Sequence, residues 1–275
     1  MSITAVGPAL AVDGPLPAAP PFSLISIPGV VVGDGDRWMN GVNVDGYPAD
    51  TPSLWEPCST GTYRTKEEGG DLPQARFDPI VAYLPITCSA LGNSDWRAFA
   101  ARAERALQAT ISFAVEEALS QGVILSTNPF FADANLDILS PAAVTPAVGL
   151  SYLEDAIGAT GRAGIIHATP GTVAAWDDIE AVEGVLTTVN GTPVAAGGGY
   201  IGADPVAGAT PAAGQAWAFA TGPVQVRLSE MLLVGDDING TLDTSNNDLT
   251  FRAEVYALPV WDTALQAGVL IDWSP

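Results

Sequence analysis

Few side chains in these 275 residues stand at spacings that could do chemistry. His167 is the only histidine, and an imidazole can serve as a base or a metal ligand. It ends the apolar run Gly164-Ile165-Ile166-His167-Ala168, where a structural role is expected. No serine occupies a Gly-x-Ser-x-Gly elbow, and Ser94 and Ser229 lack that context. Gly197-Gly198-Gly199 has the glycines of a phosphate cradle without the Lys-Ser/Thr ending or a following helix N-terminus. A flexible loop is the expectation there. Asp177-Asp178 with Glu180 and Glu183, and Asp236-Asp237 with Asn239 and Asp243, gather oxygens without the spacing of a calcium loop. They read as solvated acidic turns. No two of the 31 acidic residues are singled out as a glycosidase pair. Cys58 and Cys88 are not a Cys-x-x-Cys pair and have no histidine near them in sequence, so a metal site is not expected. Two buried free thiols are favoured over a disulfide. The expectation is no catalytic residue, no cofactor, no metal, and therefore no enzyme.

Composition narrows the classes further. Hydrophobic residues make up 48 %, enough for a large core, while charged residues are only 15 %. Much of the surface must then be neutral, as surfaces buried against partners are. The net charge is -21 with ten basic residues, of which Lys66 is the only lysine. Binding to phosphates needs clustered cations, so direct DNA or RNA binding is not expected. Such acidity suits a wall that repels nucleic acid, or simply keeps the chain soluble. The first residues lack the basic and uninterrupted apolar regions of a signal peptide, and no window is long and apolar enough to span a bilayer. A chain made in the cytoplasm is expected.

The elements that would position any site follow from periodicity. Residues 1–36 are rich in proline and glycine and apolar at Phe22, Leu24, Ile25, Ile27, Val30, Val31 and Val32, which predicts an extended arm laid against a surface. Residues 48–92 predict a long two-stranded excursion, with Trp55–Cys58 and Phe77–Cys88 as flanks and Lys66, Glu67, Glu68, Gly69 and Gly70 at its tip. Alone it would be marginal, so it needs a partner surface. Residues 94–121 are the clearest helix. Ser94 caps it, Gly122 ends it, and Trp96, Phe99, Ala103, Leu107, Ile111, Ala114, Val115 and Ala118 form one face. Arg97, Arg102, Arg105, Glu104, Glu116 and Glu117 read as its solvated side. Ser151-x-x-Glu154 predicts a capping box opening a short helix. Gly164–Ala168 predicts a buried strand, and Thr169-Pro170 another helix start. Asn190-Gly191 predicts a hairpin between 185–189 and 192–196. Residues 197–216 read as a loop. Val224, Val226, Leu228 and Leu249, Phe251, Ala253, Val255, Ala257 alternate as half-buried strands, and a last strand runs through Gly268–Asp272.

The order of these elements resembles the major capsid protein of tailed bacteriophages, the HK97-like fold. The resemblance is carried by WAFATGPVQVRLSEMLL at 217–233 and NNDLTFRAEVYALPVWDTALQAGVLID at 246–272, with Asn247, Thr250, Arg252 and Glu254 in the family's Asn-x-x-Thr-x-Arg-x-Glu strand. GRAGIIHATPGTVAAW at 161–176 is similar to the capsid proteins of phages infecting actinobacteria. It implies an α+β fold with an N-arm at 1–47, an E-loop hairpin at 48–92, and a peripheral domain at 93–148 with a long spine helix. An α/β axial domain at 149–221 and a return to the peripheral domain at 222–275 complete it. It further implies a homo-oligomer of hexamers and pentamers in an icosahedral shell within the virion, assembled in the host cytoplasm. The shell would enclose double-stranded DNA without sequence-specific binding and expand by subunit rotation, with a portal and scaffolding or decoration proteins as partners and no membrane. Phe22, Trp55, Lys66, Glu67, Glu68, Arg76, Phe77 and Tyr200 are the expected contacts between subunits. The Gly-rich loop 197–216 would crowd at the local symmetry axis. Two points stand apart: the long charged helical N-terminal segment of some relatives is not seen in this sequence, and where some relatives crosslink an E-loop lysine to a neighbour's asparagine, the resemblance puts Lys66 and Asn246 or Asn247. The alternatives are an encapsulin shell, a tail-tube or ring protein, and a secreted hydrolase.

Overall fold

The longest strand organises the C-terminal half of the chain and draws distant segments onto it. In the computed structural model the described residues are 15, 17–33, 37–46, 74–89, 96–123, 126–234, 242–243, 245–246 and 248–274. Trp55, Cys58, Lys66, Glu67, Glu68, Ser94, Asp236, Asp237 and Asn247 lie outside them, as does the tip of the expected excursion. In chain order the strands are β1 (Val42–Asp45), β2 (Gln74–Phe77), β3 (Ile80–Ser89), β4 (Asp137–Ile138), β5 (Ile165–Ala168), β6 (Ile179–Val182) and β7 (Val185–Thr188). They continue with β8 (Pro193–Ala196), β9 (Gln215–Thr221), β10 (Val224–Leu228), β11 (Leu232–Val234), β12 (Leu242–Asp243), β13 (Asp248–Trp261) and β14 (Gln266–Asp272). The helices are α1 (Trp96–Gln121), α2 (Pro146–Ala159) and α3 (Pro170–Ala174). Leu24–Ser26, Arg37–Asn40 and Gly198–Tyr200 are single 3-10 turns.

β13 pairs antiparallel with β3 along one edge, from Ala257↔Ile80 to Asp248↔Ser89. Along its other edge lie β10, β11 and β12 in succession. Its alternation of Leu249, Phe251, Ala253, Val255 and Ala257 puts every one of these side chains inside. Pro85 is accommodated because β3 pairs only with β13 among the described residues, and an edge strand can lack a donor. The partner surface that the return flank of the excursion needs is thus the chain's own β13. The other short sheet pairs β1 with β2, bringing Phe77 opposite Val42.

α1 lies across the buried face of this sheet. Ala103 and Leu107 pack with Ala82, Ala253 and Val255, and Ala100 packs with Leu249 and Phe251. At about 1.5 Å per residue its 26 residues span about 39 Å. Gly122, at φ 77°, closes it. The second half of α1 departs from the single stripe read in the sequence. Ser112, Val115, Glu116, Leu119 and Ser120 are all buried, because a second layer covers the side that was expected to be wet.

That layer belongs to a seven-stranded sheet of order β4-β14-β9-β5-β8-β7-β6. Its pairs are antiparallel except β14 with β4 and β5 with β8. Alternation along β9 splits its side chains between two cores. Ala218 and Ala220 face α2, with Leu150, Leu153, Ile157, Val269 and Ile271. Trp217 and Phe219 face the other way, into a cluster with Val115, Leu119, Phe131, Trp261, Leu24 and Val30.

α2 begins earlier than the capping-box reading places it. Thr145 is its N-cap and Pro146 occupies its first turn. Ser151 is one turn inside, where its hydroxyl donates to the Ala147 carbonyl at 2.9 Å. Glu154 accepts from the Thr192 hydroxyl instead of capping a helix. The hairpin at Asn190-Gly191 forms as read, with Leu186 opposite Val194 and Gly191 at φ 85°. Thr169 caps α3 through the Thr172 amide.

Candidate functional site

The buried polar groups come first, since they decide whether the interior does chemistry or holds structure. His167 sits in β5 with no exposed surface. Thr221 Oγ1 donates its proton to the Gly222 carbonyl, so toward the imidazole it can only accept. Nε2 therefore carries the ring proton and donates to Thr221 at 2.9 Å, and Nδ1 accepts from the Tyr200 hydroxyl at 3.0 Å. The Phe131 ring lies 4.6 Å from the imidazole centroid. Burial without a counter-charge pushes His167 down to about 3. Such an imidazole is neutral across the physiological range, has both nitrogens engaged, and opens onto no solvent. It is a structural tie between β5, β9 and the turn at Tyr200.

The sign of its pH effect follows. Below pH 6.5 the unfolded chain takes up a proton at this position that the folded chain refuses, so stability falls as pH drops from 6.5 toward 3. Replacing His167→Gln should remove that component. Urea unfolding at pH 7.5 and pH 5 should show a pH-dependent loss smaller by about 2 kcal/mol than in the parent. An unchanged difference would mean that the imidazole titrates freely.

Glu116 is the one fully buried carboxylate among the described residues, at 1 % exposure. Its Oε1 accepts from the Leu24 amide and the Ser112 hydroxyl, each at 3.0 Å. Its Oε2 accepts from the Gly199 amide at 3.2 Å. The Gly199 carbonyl is held in turn by the Ser120 hydroxyl at 3.0 Å and the Gln121 side chain at 3.3 Å. A Cβ at Gly197 would fall 2.1 Å from Glu116 Oε2, and one at Gly199 would fall 2.4 Å from the Phe113 carbonyl. The glycine run is therefore packed on α1 and is not an open loop. Its small residues serve close approach inside the chain. The sequence signal was present as Ser112, Glu116 and Ser120, a second stripe at four-residue spacing beside the apolar one.

No group of three or more His, Cys, Asp or Glu side chains converges among the described residues. What remains is surface. On the open face of the five-stranded sheet, Tyr83 stands opposite Glu254, which stands opposite Leu232. Pro85 stands opposite Arg252, which stands opposite Val234. Tyr83 is 62 % exposed, Val81 44 % and Leu232 47 %. Arg252 pairs with Glu254 and lies over the Tyr83 ring at 5.9 Å. Val189 at the hairpin and Val206 in the long loop are exposed as well.

Of the contact residues expected from the sequence, Arg76 is exposed and pairs with Asp78 at 2.7 Å. Phe22 is half-buried, and its carbonyl accepts from the Ala196 amide at 2.8 Å. Phe77 and Tyr200 are enclosed in the chain's own core, at 1 % and 0 % exposure. The structure brings Phe22 and Tyr200 to the same region around Glu116, and leaves Arg76 and Phe77 at the β1–β2 sheet.

No protein-family model matches the sequence, and no curated protein does. Solved structures do. The capsid of an empty GTA particle, computed with C5 symmetry, superposes with a TM-score of 0.56 at 14 % identity, covering 98 % of this chain and 96 % of that one. The capsid of the native GTA particle gives 0.55 at 14 % identity, with the same coverage of 98 % and 96 %. A chain of Mycobacterium phage Ogopogo gives 0.52 at 12 % identity, covering 96 % of each chain. At such identities the likeness establishes the fold, and the chain has the HK97-like capsid fold.

Proposed function

We propose that this chain is the major capsid protein of a tailed phage or a similar particle, a shell subunit with no catalytic role. The observation that carries the reading is the likeness to the GTA capsid subunit over nearly the full length of both chains, 98 % and 96 %. A domain grafted on a different architecture would match only in part.

In this reading α1 is the spine helix, and β13 with β10 and β11 forms the peripheral domain around it, covering 93–148 and 222–275, with β3 of the E-loop paired along the edge of β13. Residues 149–221, with most of α2 and strands β5 to β9 of the seven-stranded sheet, are the axial domain. Residues 1–47 are the N-arm and 48–92 the E-loop, which presents Lys66, Glu67 and Glu68 at its tip and Trp55 on its flank to a neighbour. Arg76 and Phe22 border those contacts, whereas Phe77 and Tyr200 act by holding the subunit's own core. Hexamers and pentamers close the shell around double-stranded DNA, with portal and scaffolding proteins as further partners in the virion. The net charge of -21 suits an inner wall along which DNA lies without adhering.

Association would rest on apolar burial and strand pairing at the exposed Tyr83, Val81 and Leu232 surface, with few ion pairs to screen. Sedimentation of the purified chain should then give particles of many subunits that persist in high salt. A monomer at high concentration in every buffer would end this reading.

A further inference from the structure

The described part of the N-terminal segment is a strap across both sheets. At one end Phe22 accepts from the β8 amide of Ala196, and at the other Val30 and Val32 exchange hydrogen bonds with Val226 of β10 at 2.8 and 3.0 Å. Between them Leu24, Ile27 and Val30 are buried. The strap meets α1 through an apolar cluster with Val115 and Leu119 and, among the described residues, through one hydrogen bond, from the Leu24 amide to the Glu116 carboxylate, which also takes Gly199 and Ser112.

Among the described residues no cation pairs with that carboxylate. The strap residues Phe22 to Ile27 carry no charge, nor do Pro193 to Ala196 of β8 or Gly197 to Gly199. On α1 the neighbouring acid Glu117 is exposed. The glycine turn contributes Tyr200, whose hydroxyl is spent on the neutral His167. All three partners of Glu116 are neutral donors, so a charge there is desolvated and only partly compensated.

We propose that Glu116 is a proton-controlled latch for the strap: protonated it holds residues 22–32 on α1, and ionised it loosens them. Burial raises this carboxyl above its ordinary value, against the lowering effect of its three donors. The docked strap encloses the group and the undocked strap exposes it to water. Docking therefore takes up a proton, is strongest in acid, and weakens as pH rises from the ordinary carboxylate value through the raised one. His167 acts in the opposite direction, because acid opposes its burial, so the two groups are distinguishable.

Hydrogen exchange on the full chain between pH 4 and pH 8, expressed as protection factors so that intrinsic rates cancel, tests this directly. Protection of the peptide covering 22–32 should fall with rising pH, by about tenfold for each pH unit by which the carboxyl is raised. Glu116→Gln, which keeps the shape and an acceptor, should leave a flat profile. Ser112→Ala, which removes one donor to the ionised form, should move the fall to higher pH. His167→Gln should leave it in place. A profile identical in the parent and Glu116→Gln, or protection that rises with pH in the parent, would overturn the proposal.

Discussion

Replacing Gly199 by alanine should cost on the order of 3 kcal/mol and lower the urea midpoint accordingly. A Cβ there falls 2.4 Å from the Phe113 carbonyl and 2.5 Å from the Glu117 amide. Both are backbone atoms of α1, so no rotamer change relieves the clash. The turn must move off the helix, and that movement breaks the Gly199 amide bond to Glu116 and the Ser120 bond to the Gly199 carbonyl. Buried partners left without hydrogen bonds add to the steric cost. Gly158→Ala is the control. It sits near the end of α2 with nothing within 4 Å of its Cβ position, so alanine should be neutral or slightly stabilising there. Equal stability of the two variants would contradict the packing of the glycine turn on α1.

Phe131→Ala should destabilise by about 3–5 kcal/mol. The ring has no exposed surface and joins three elements: it meets Trp261 of β13 edge-on at 5.2 Å, Phe219 of β9 at 5.9 Å and His167 of β5 at 4.6 Å. Its own amide is held by the Leu119 carbonyl at the end of α1, at 2.7 Å. Truncation leaves a cavity where the long helix and both large sheets meet, and no neighbouring main chain is free to collapse into it. Phe131→Leu should recover much of the loss. The same cavity admits water to the imidazole, so His167 in Phe131→Ala should titrate closer to its ordinary value than the about 3 of the parent. Urea unfolding and the imidazole proton resonances read the two effects separately. A loss below 1 kcal/mol would show that the ring is not the junction described.

Much of this fold is written locally. The alternation through Leu249 to Ala257 gives β13, the stripe from Ala103 to Val115 gives α1, and Asn190-Gly191 gives the β7–β8 hairpin. Each is a local pattern that tertiary structure reinforces. Where reading failed, a second layer intervened. Glu116 looks wet because a carboxylate on a helix normally is, and only the distant Leu24 and Gly199 amides make its burial tolerable. Ser151-x-x-Glu154 resembles a capping box in sequence, yet Thr145 and Pro146 had already started the helix. Tyr200, expected as a contact between subunits, is enclosed in the chain's own core, where its hydroxyl meets His167, 33 residues away. The flank Phe77–Cys88 predicts the need for a partner surface. Its partner is β13, with paired residues 159 to 177 positions apart, and such pairing has no local signature.

The shell reading stands or falls on what the purified chain builds. Electron micrographs of it, or of the particle that contains it, should show closed icosahedral shells whose capsomers count five or six copies of this chain, each with α1 as its internal strut. Tubes, single rings or dispersed monomers under all assembly conditions would contradict it.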